Sequence, residues 1–323
     1  MQKKGIDVSR HNGTINWEKV KATGIDFVLL RAGYGKHASQ KDVKFEEYYS
    51  ECKRLGIEVG CYWYSYATTA EEAKQEALAC YECIKDKKFE YPVYFDYEDK
   101  CIRPTKYTKE NIEKYSKMAR EIIPAFISVL ENKGYFVGLY SFKSLFQTLI
   151  PDEFKQRYTI WLAHLLDEKP YTVNESTRGV SSYKPYDAWQ YTWYGKVNGI
   201  PSEVDMDMCY RDFPSIIKTN GFNGYKKNSS SSSNTNQVIK PADNTITKTD
   251  NNTKKYTSGQ KITLSNTKLY ASSTAKSAVT TKSGTYYIYS SSIENGRIRI
   301  TNSSKNVGKT PINNYVTGWI DAN

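Results

Sequence analysis

The chain has 323 residues and a net charge of +11, and it is long enough for one large domain and a small one. No apolar run approaches the ~20 residues of a membrane-spanning helix, so membrane insertion is not expected. All six cysteines lie in the first 217 residues, and no basic stretch followed by an apolar core opens the chain. The sequence therefore predicts folding in a reducing cytoplasm, with free thiols and no signal peptide.

The positive charge is unevenly distributed. Residues 1–217 carry 31 basic and 31 acidic side chains, whereas residues 218–323 carry 15 basic and 4 acidic ones. A neutral segment followed by a basic one indicates catalysis in the first part and attachment to a polyanion through the second. Because any lysine-rich segment binds nucleic acid at low salt, no specific nucleic-acid partner is predicted.

The first 217 residues alternate strand-like runs with amphipathic stretches at helical spacing. Helices are predicted at 43–55, 70–84 and 109–132, and Gly56 and Gly134 follow as C-terminal caps. This alternation is typical of a (β/α)8-type barrel of the α/β class, irregular because its later connections are short. The predicted strands are 5–8, 27–32, 58–66, 92–98, 136–140, 159–163, 188–191 and 203–206.

The remaining residues divide into a linker and a small second domain. Residues 218–255 are rich in Ser, Asn, Thr and Lys, which is typical of a flexible linker. Residues 256–323 contain short strand patterns, at 261–264, 285–290, 297–301 and 315–320, and predict a small all-β barrel. Its aromatic residues exceed what so small a core requires and suggest a stacking groove: Tyr270, Tyr286, Tyr287, Tyr289, Tyr315 and Trp319.

Two carboxylates, Asp96 and Glu98, follow the apolar run 91–95 at i and i+2. In a strand these positions point to the same side, where repulsion and burial drive the two pKa values apart. A protonated acid beside an ionised carboxylate is what glycoside hydrolysis requires. This pair is therefore the first candidate for a catalytic site.

Two further acids, Asp7 and Asp205, lie near the ends of other predicted strands. An isolated aspartate at such a position can equally be a turn residue or a helix N-cap. Because functional groups of a β/α barrel come from the carboxyl ends of its strands, four acids on three strands predict one acidic pocket.

Aromatic side chains suited to sugar rings occur on the same strands: Tyr62, Tyr64, Tyr140, Trp161 and Trp189. Taken singly, each could also be ordinary barrel core. Arg31 could hold a pocket carboxylate ionised or form a structural salt bridge. The histidines and cysteines show no zinc spacing, and no metal or organic cofactor is predicted.

In order along residues 3–213, these segments resemble glycoside hydrolase family 25, the Chalaropsis-type lysozymes, and most of all phage or prophage endolysins of clostridia-like Firmicutes. The resemblance rests on residues 5–9, 27–35, 60–67, 92–98, 138–141, 161–163, 189–191 and 204–207.

The resemblance implies an N-acetylmuramidase that cuts the β-1,4 bond between N-acetylmuramic acid and N-acetylglucosamine in peptidoglycan. It implies Glu98 as the general acid and Asp96 as the second carboxylate, which either stabilises an oxocarbenium ion or, as we favour, orients the substrate's N-acetyl group. Asp7 and Asp205 match the supporting acids, and Tyr62, Tyr64, Tyr140 and Trp189 match pocket-lining positions. The alternatives are a non-catalytic wall-binding scaffold and a glycosidase of chitin-like chains.

Residues 256–323 more loosely resemble bacterial SH3-like wall-binding modules, through residues 284–290, 296–301 and 318–320. This implies an endolysin that is made in the host cytoplasm, acts at the cell wall after release, and binds peptidoglycan and anionic wall polymers. The oligomeric state stays open, with a dimer through the C-terminal module as one alternative.

Overall fold

The computed structural model describes residues 2–227, 256–270, 273, 275, 277–294, 296–309 and 317–322. The chain divides into two compact units, residues 1–245 and 246–323. Most of the predicted linker, and Tyr315 of the last predicted strand, lie outside the described residues.

The first unit contains nine strands and seven α-helices among the residues described. The strands are β1 (Lys3–Val8), β2 (Phe27–Tyr34), β3 (Glu58–Tyr64), β4 (Val93–Asp96), β5 (Val137–Phe142), β6 (Thr159–Ala163), β7 (Tyr171–Thr172), β8 (Ala188–Lys196) and β9 (Val204–Cys209). The helices are α1 (Trp17–Ala22), α2 (Phe45–Arg54), α3 (Ala70–Ile84), α4 (Lys109–Asn132), α5 (Lys143–Thr148), α6 (Asp152–Arg157) and α7 (Phe213–Asn220).

Eight of these strands close into a barrel, as the sequence predicts. The strand order is β6-β5-β4-β3-β2-β1-β9-β8, and pairing of β6 with β8 closes the ring. Strand β7 is a two-residue addition that pairs with the end of β8. All six strands from β1 to β6 run parallel, so their carboxyl ends meet at one face of the barrel, called here the carboxyl face.

Strand β9 makes the barrel irregular, as predicted, because it runs antiparallel to both neighbours, β8 and β1. Only residues 197–203 connect β8 to β9. A parallel crossover needs a dozen or more residues, so this short connection can only form an antiparallel pair. As a result, Asp205 lies near the start of its strand and still reaches the carboxyl face.

Helix bounds follow the sequence closely. The predictions at 70–84 and 109–132 are confirmed by α3 and α4, whose N-caps Thr69 and Thr108 accept hydrogen bonds from backbone N–H groups of the first turn. Gly56 and Gly134 adopt the predicted left-handed conformation, with φ of 65° and 87°. None of the described helices is both long and apolar enough to cross a membrane.

The core of the first unit has two layers. One packs helices against the outer side of the strands, and the other fills the barrel interior with side chains such as Phe27, Tyr91 and Tyr94. The Phe27 and Tyr91 rings stack at 4.2 Å between centroids. At Gly138 the Tyr94 ring lies so close that a Cβ would meet it at 2.5 Å, so a glycine is needed there.

The described part of the second unit is a four-stranded antiparallel sheet with the order β10-β11-β12-β13. Its strands are β10 (Lys261–Leu269), β11 (Thr280–Glu294), β12 (Arg297–Thr301) and β13 (Gly318–Asp321). A bridge between Tyr270 and Trp319 links the end of β10 to β13. Isoleucine and leucine side chains form its core: Leu264, Leu269, Ile288, Ile298, Ile300 and Ile320.

The aromatic residues predicted for a stacking groove differ in exposure: Tyr286 and Tyr287 are half-buried, and Tyr315 lies outside the described residues. Tyr270, Tyr289 and Trp319 are buried. Arginine side chains cover two of them, with the Arg297 guanidinium 3.4 Å from the Tyr270 ring centroid and Arg299 4.5 Å from that of Trp319. The rings of Tyr270 and Trp319 therefore pack under arginine side chains.

Candidate active site

Four carboxylates gather at the carboxyl face of the barrel, and a fifth, Asp207, lies deeper in the barrel wall. Asp7 is the penultimate residue of β1, Asp96 ends β4, and Asp205 lies opposite Asp7 in the β1–β9 pairing. Glu98 follows two residues after β4, and Asp207 shares the inward side of β9 with Asp205. The four predicted acids are thus brought together, with one more that the sequence analysis did not assign.

Strand β4 is shorter than predicted. It ends at Asp96, so Glu98 lies in the following loop and the i, i+2 alternation of a strand does not apply to it. The two carboxylates nevertheless interact: burial raises the pKa of Asp96, and the charge of Glu98 raises it further. The difference places Glu98 nearer to solvent: it is half-buried, whereas Asp96 is only 2% exposed.

Burial raises the pKa of every acid in this group. It raises the pKa of Glu98 to about 7, with a further rise from the charge of Asp7, while the positive charge of Arg103 opposes the rise. The pKa of Asp7 rises to about 7 and that of Asp205 to about 9, and those of Asp96 and Asp207 rise well above their usual range. Among the described residues no lysine or arginine forms a direct ion pair with any of the five.

Three carboxylate oxygens in the site have no hydrogen-bond partner within the described part of the chain: Asp96 Oδ1, Glu98 Oε2 and, deeper in the barrel, Asp207 Oδ2. Buried polar atoms are normally paired, so unpaired ones in a cleft indicate groups that are free to meet a ligand. Both catalytic candidates therefore keep one oxygen available for substrate.

Gln190 connects the acids to the aromatic residues and was not singled out from the sequence. Its Nε2 donates to Asp7 Oδ2 at 2.8 Å and to Asp205 Oδ2 at 3.4 Å. Its Oε1 accepts from the Tyr140 hydroxyl at 2.8 Å and from Trp193 Nε1 at 2.9 Å. All four hydrogen-bonding positions of the amide are used, so its orientation is fixed.

Four of the predicted aromatic residues lie at or beneath the site. The Trp161 ring lies 4.3 Å from that of Tyr140 and 5.8 Å from that of Tyr62, and its Nε1 donates to Asp207 at 2.7 Å. Tyr62 and Tyr64 are half-buried and therefore partly accessible, and the Tyr64 hydroxyl donates to Asp99 at 3.0 Å. Tyr140 and Trp161 are buried and support the site from below.

Trp189 is placed away from the site, contrary to the prediction. It is fully buried in the outer core layer, and its Nε1 donates to the His164 carbonyl at 2.8 Å. Alternation along β8 explains the difference, since Trp189 and Gln190 must face opposite sides of the strand. Gln190, not its neighbour, faces the acids.

Arg31 forms the structural salt bridge that was one of its two predicted roles. Its guanidinium lies 2.6 Å from a carboxylate oxygen of Asp42, a residue that is 2% exposed. It does not pair with a pocket carboxylate, although its positive charge lowers the pKa of Asp96.

The rim of the site includes an aromatic cluster that the sequence analysis missed. Trp193 is 40% exposed, its ring lies 6.1 Å from that of Phe142, and the Arg103 guanidinium lies 5.7 Å from the Phe142 ring centroid. The cluster was missed because β8 was predicted to end at Tyr191, whereas the strand continues for five more residues. We define Phe142, Trp193 and Arg103 as the rim cluster.

No group of three or more His, Cys, Asp or Glu side chains in the described ranges has the arrangement of a metal site. The chemistry available from these residues is proton transfer and charge stabilisation by carboxylates, beside partly exposed aromatic rings.

Comparison with known proteins places this site in a family. The family model of glycosyl hydrolases family 25 matches residues 6–200. The "Autolytic lysozyme" of Clostridium acetobutylicum is 24% identical over 204 residues, which cover 63% of this chain and 55% of that protein. The chain thus spans about half the length of this curated relative.

Solved structures agree with this placement. The modular autolysin LytC from Streptococcus pneumoniae is 28% identical, with a TM-score of 0.51, over 65% of this chain and 47% of LytC. A second LytC structure, with a synthetic peptidoglycan ligand, is 26% identical with a TM-score of 0.51. The CTP1L endolysin is 22% identical, with a TM-score of 0.53, over 68% of this chain and 70% of the endolysin chain. It shares the fold. Since the family model covers well over half of the sequence, the chain belongs to family 25 of the glycosyl hydrolases.

Proposed function

We propose that this protein is an N-acetylmuramidase that cuts the β-1,4 bond between N-acetylmuramic acid and N-acetylglucosamine in bacterial peptidoglycan. Membership of family 25 and the likeness to an autolytic lysozyme support this function. The observation that carries it is the pairing of Glu98, half-buried and with a free Oε2, with the more deeply buried Asp96.

Glu98 is the general acid in this proposal. Because its pKa is raised to about 7, about half of Glu98 carries its proton at pH 7 and can donate it to the leaving glycosidic oxygen. Once Glu98 is ionised, the positive charge of Arg103 stabilises the new carboxylate. Glu98 then takes a proton from the water that completes hydrolysis.

Asp96 is the second carboxylate. Its free Oδ1 is the acceptor we assign to the N–H of the substrate's N-acetyl group. The carbonyl oxygen of that group would attack the anomeric carbon as the glycosidic bond breaks, which makes the substrate its own nucleophile, a known exception to the two-carboxylate scheme. The positive charge that develops on the sugar favours the ionised form of Asp96.

The surrounding residues bind and orient the sugar chain. Asp7 and Asp205 are held by Gln190 as the supporting acids, and Tyr62 and Tyr64 offer partly exposed rings for sugar faces. Tyr64 ends β3 on one side of β4, and Phe142 of the rim cluster ends β5 on the other side. The rim cluster adds the exposed Trp193 ring. Aromatic surfaces on both sides of Glu98 are suited to an extended glycan.

The second unit is proposed to anchor the enzyme to the wall, as an SH3-like module after a flexible linker at residues 218–255. Only two acids occur in residues 256–323, and both, Glu294 and Asp321, pair with arginines. The exposed lysines Lys261 and Lys268 on β10 are suited to anionic wall polymers. The whole protein would then be an endolysin that acts on the bacterial cell wall.

The test is mass spectrometry of soluble fragments released from purified clostridial peptidoglycan by the full chain. New reducing-end N-acetylmuramic acid is expected, and Glu98→Gln should abolish its release while Glu82→Gln, an exposed acid on α3, should not. Fragments that end in N-acetylglucosamine would contradict the assigned bond. Absence of fragments from any wall, with binding intact, would favour the scaffold, and cleavage of chitin oligomers alone would favour the chitin-like alternative.

Wall attachment is tested separately with the full-length Glu98→Gln variant, which binds without digesting. Lys261→Gln with Lys268→Gln should weaken pelleting with walls, and stripping anionic polymers from the walls should have the same effect. The matched control, Lys19→Gln with Lys117→Gln, removes two exposed charges from the barrel. Equal loss in both double variants would show that net charge alone controls binding.

A further inference from the structure

Asp207 is the one acid of the site without a role in the proposed reaction. It pairs with Gly5 on β1 and with Gln190 on β8, in the middle of the barrel wall, and it has no exposed surface. The family match ends at residue 200, before this strand begins. A buried carboxyl at this position needs a physical explanation, because an ion there would lose its hydration.

The hydrogen bonds of Asp207 locate a proton on it. Oδ1 accepts from Trp161 Nε1 at 2.7 Å, and the register of β9 with β1, with Asp205 opposite Asp7 and Asp207 opposite Gly5, makes Asp7 the diagonal neighbour of Asp207 on the same face. Two carboxylates cannot hydrogen-bond unless one of them is protonated. Oδ2 is the remaining oxygen, and no other donor reaches it from the described residues.

Asp7 is the neighbouring carboxyl that could accept a hydrogen bond from a protonated Asp207 Oδ2. Gln190 Nε2 donates to Asp7 Oδ2, and the amide cannot rotate because Tyr140 and Trp193 already donate to its oxygen. The pKa shifts agree with this direction: burial raises the pKa of both acids, and their interaction adds to the rise for Asp207 and opposes it for Asp7.

We propose that Asp207 is a positioning residue that stays a neutral carboxylic acid and donates its proton to Asp7, so that Asp7 faces the site as an oriented carboxylate. This inference deepens the proposed muramidase function and rests on it for its catalytic part. Asp207 touches no substrate and acts through Asp7, whose charge is the second-largest cause of the raised pKa of Glu98.

Other titratable groups face Asp207, but few of them change charge near neutral pH. They are Asp7 on β1, Tyr94 on β4, Tyr191 on β8, and Asp205 and Cys209 on β9. Burial raises the pKa of both tyrosines, and that of Cys209 to about 12, so all three stay neutral through pH 8. Only Asp7 and Asp205 titrate together with it.

The first test compares Asp207→Asn with Asp207→Leu. An asparagine can accept from Trp161 and donate to Asp7 as a neutral acid does, so its kcat should stay within about threefold of wild type. Leucine removes the donor, and kcat should fall about 10- to 100-fold with little change in KM. Asp7 would then keep a proton more readily, so the basic limb of the kcat/KM profile should move to lower pH. Equal losses in both variants, or full activity of the leucine variant, would overturn the proposal.

The second test needs no activity, so it can fail independently of the proposed function. A buried acid with a raised pKa holds its proton when folded and loses it when unfolded above pH ~4, so wild-type stability falls as pH rises. Asp207→Asn removes this penalty, and its Tm advantage over wild type should grow from pH 4 to pH 7. The exposed control Asp86→Asn should show no such growth. A Tm difference for Asp207→Asn that is independent of pH would mean that Asp207 is ionised in the native protein and would overturn the inference.

Discussion

Asp205 lies directly opposite Asp7 in the antiparallel pairing of β9 with β1, and one amide, that of Gln190, hydrogen-bonds to both. The two supporting acids are therefore held by backbone register and by a single side chain whose other bonds reach Tyr140 and Trp193. The same side chain joins the carboxylates of the barrel interior to the aromatic rim of the site. Predictions for individual residues follow from this arrangement.

The pH dependence of activity should follow the proton on Glu98. Because the acid must be protonated and its pKa is about 7, kcat/KM should fall as pH rises through about 7. Arg103 lowers this pKa, so Arg103→Gln should move the basic limb to higher pH, whereas the exposed Lys106→Gln should leave it in place. The measurement is the pH profile with soluble glycan fragments, and an unmoved limb in Arg103→Gln would exclude Arg103 as a modulator of Glu98.

The role of Asp96 can be read from inhibition by a thiazoline analogue of the sugar. If the substrate's N-acetyl group is the nucleophile, the thiazoline mimics the cyclic intermediate and should inhibit competitively. Asp96→Asn should then bind it at least about tenfold more weakly, since a charge-assisted hydrogen bond is lost. Absence of inhibition, with a fluorosugar trapped covalently on Asp96, would instead identify Asp96 as a direct nucleophile.

The rim cluster should contribute to substrate binding and not to chemistry. Trp193→Phe keeps an aromatic ring but loses the hydrogen bond to Gln190, whereas Trp193→Ala loses both. The alanine variant should raise KM about threefold to tenfold with kcat within about twofold, as expected for one lost ring contact. Leu78→Ala, which removes an apolar side chain that is 49% exposed on α3, is the control. A change in kcat alone would contradict a binding role.

The Arg31–Asp42 pair should contribute to stability. Asp42 also accepts from the backbone N–H groups of Arg10 and Lys44, at 3.1 and 2.9 Å. Asp42→Ala leaves a half-buried arginine and these donors unpaired, so the free energy of unfolding of the barrel should fall by about 3–5 kcal/mol. The measurement is urea unfolding monitored by tryptophan fluorescence. The control Asp152→Ala removes an exposed acid and should change the free energy of unfolding little. Comparable losses in the two variants would contradict the assignment.

Much of the barrel could be predicted because its signals are local. Helices α3 and α4 carry their own caps and apolar spacing, and their bounds agree with the prediction. Strand β4 was predicted too long because Tyr97 and Glu98 continue its alternation, although pairing with β5 ends at Asp96 and Tyr140. The reversal of β9 was also readable in principle, since seven residues cannot carry a parallel crossover.

The organisation of the site could be predicted only in part. Four acids at strand ends were visible in the sequence, but the hydrogen bond of Gln190 to Asp7 spans 183 residues and has no local signature. Trp189 was assigned to the pocket and Gln190 was not, although the two differ by one step of alternation along β8. Shifting the assignment by one residue exchanges the side chain that faces the core with the one that faces the site. The correct assignment therefore requires knowledge of the neighbouring strands.

The reversed strand β9 also determines where the chain leaves the barrel. Its last residue, Cys209, pairs with Lys3 at the start of β1, on the side away from the carboxylates. Asn223 continues on that side, with its side chain bound to the backbone of Tyr91 and Phe136, which precede β4 and β5. Had β9 run parallel to its neighbours, the chain would have left the barrel at the carboxyl face. Instead, the described chain after β9 packs, as far as Asn223, beneath the starts of β4 and β5, and leaves the loops around the carboxylates uncovered by this segment.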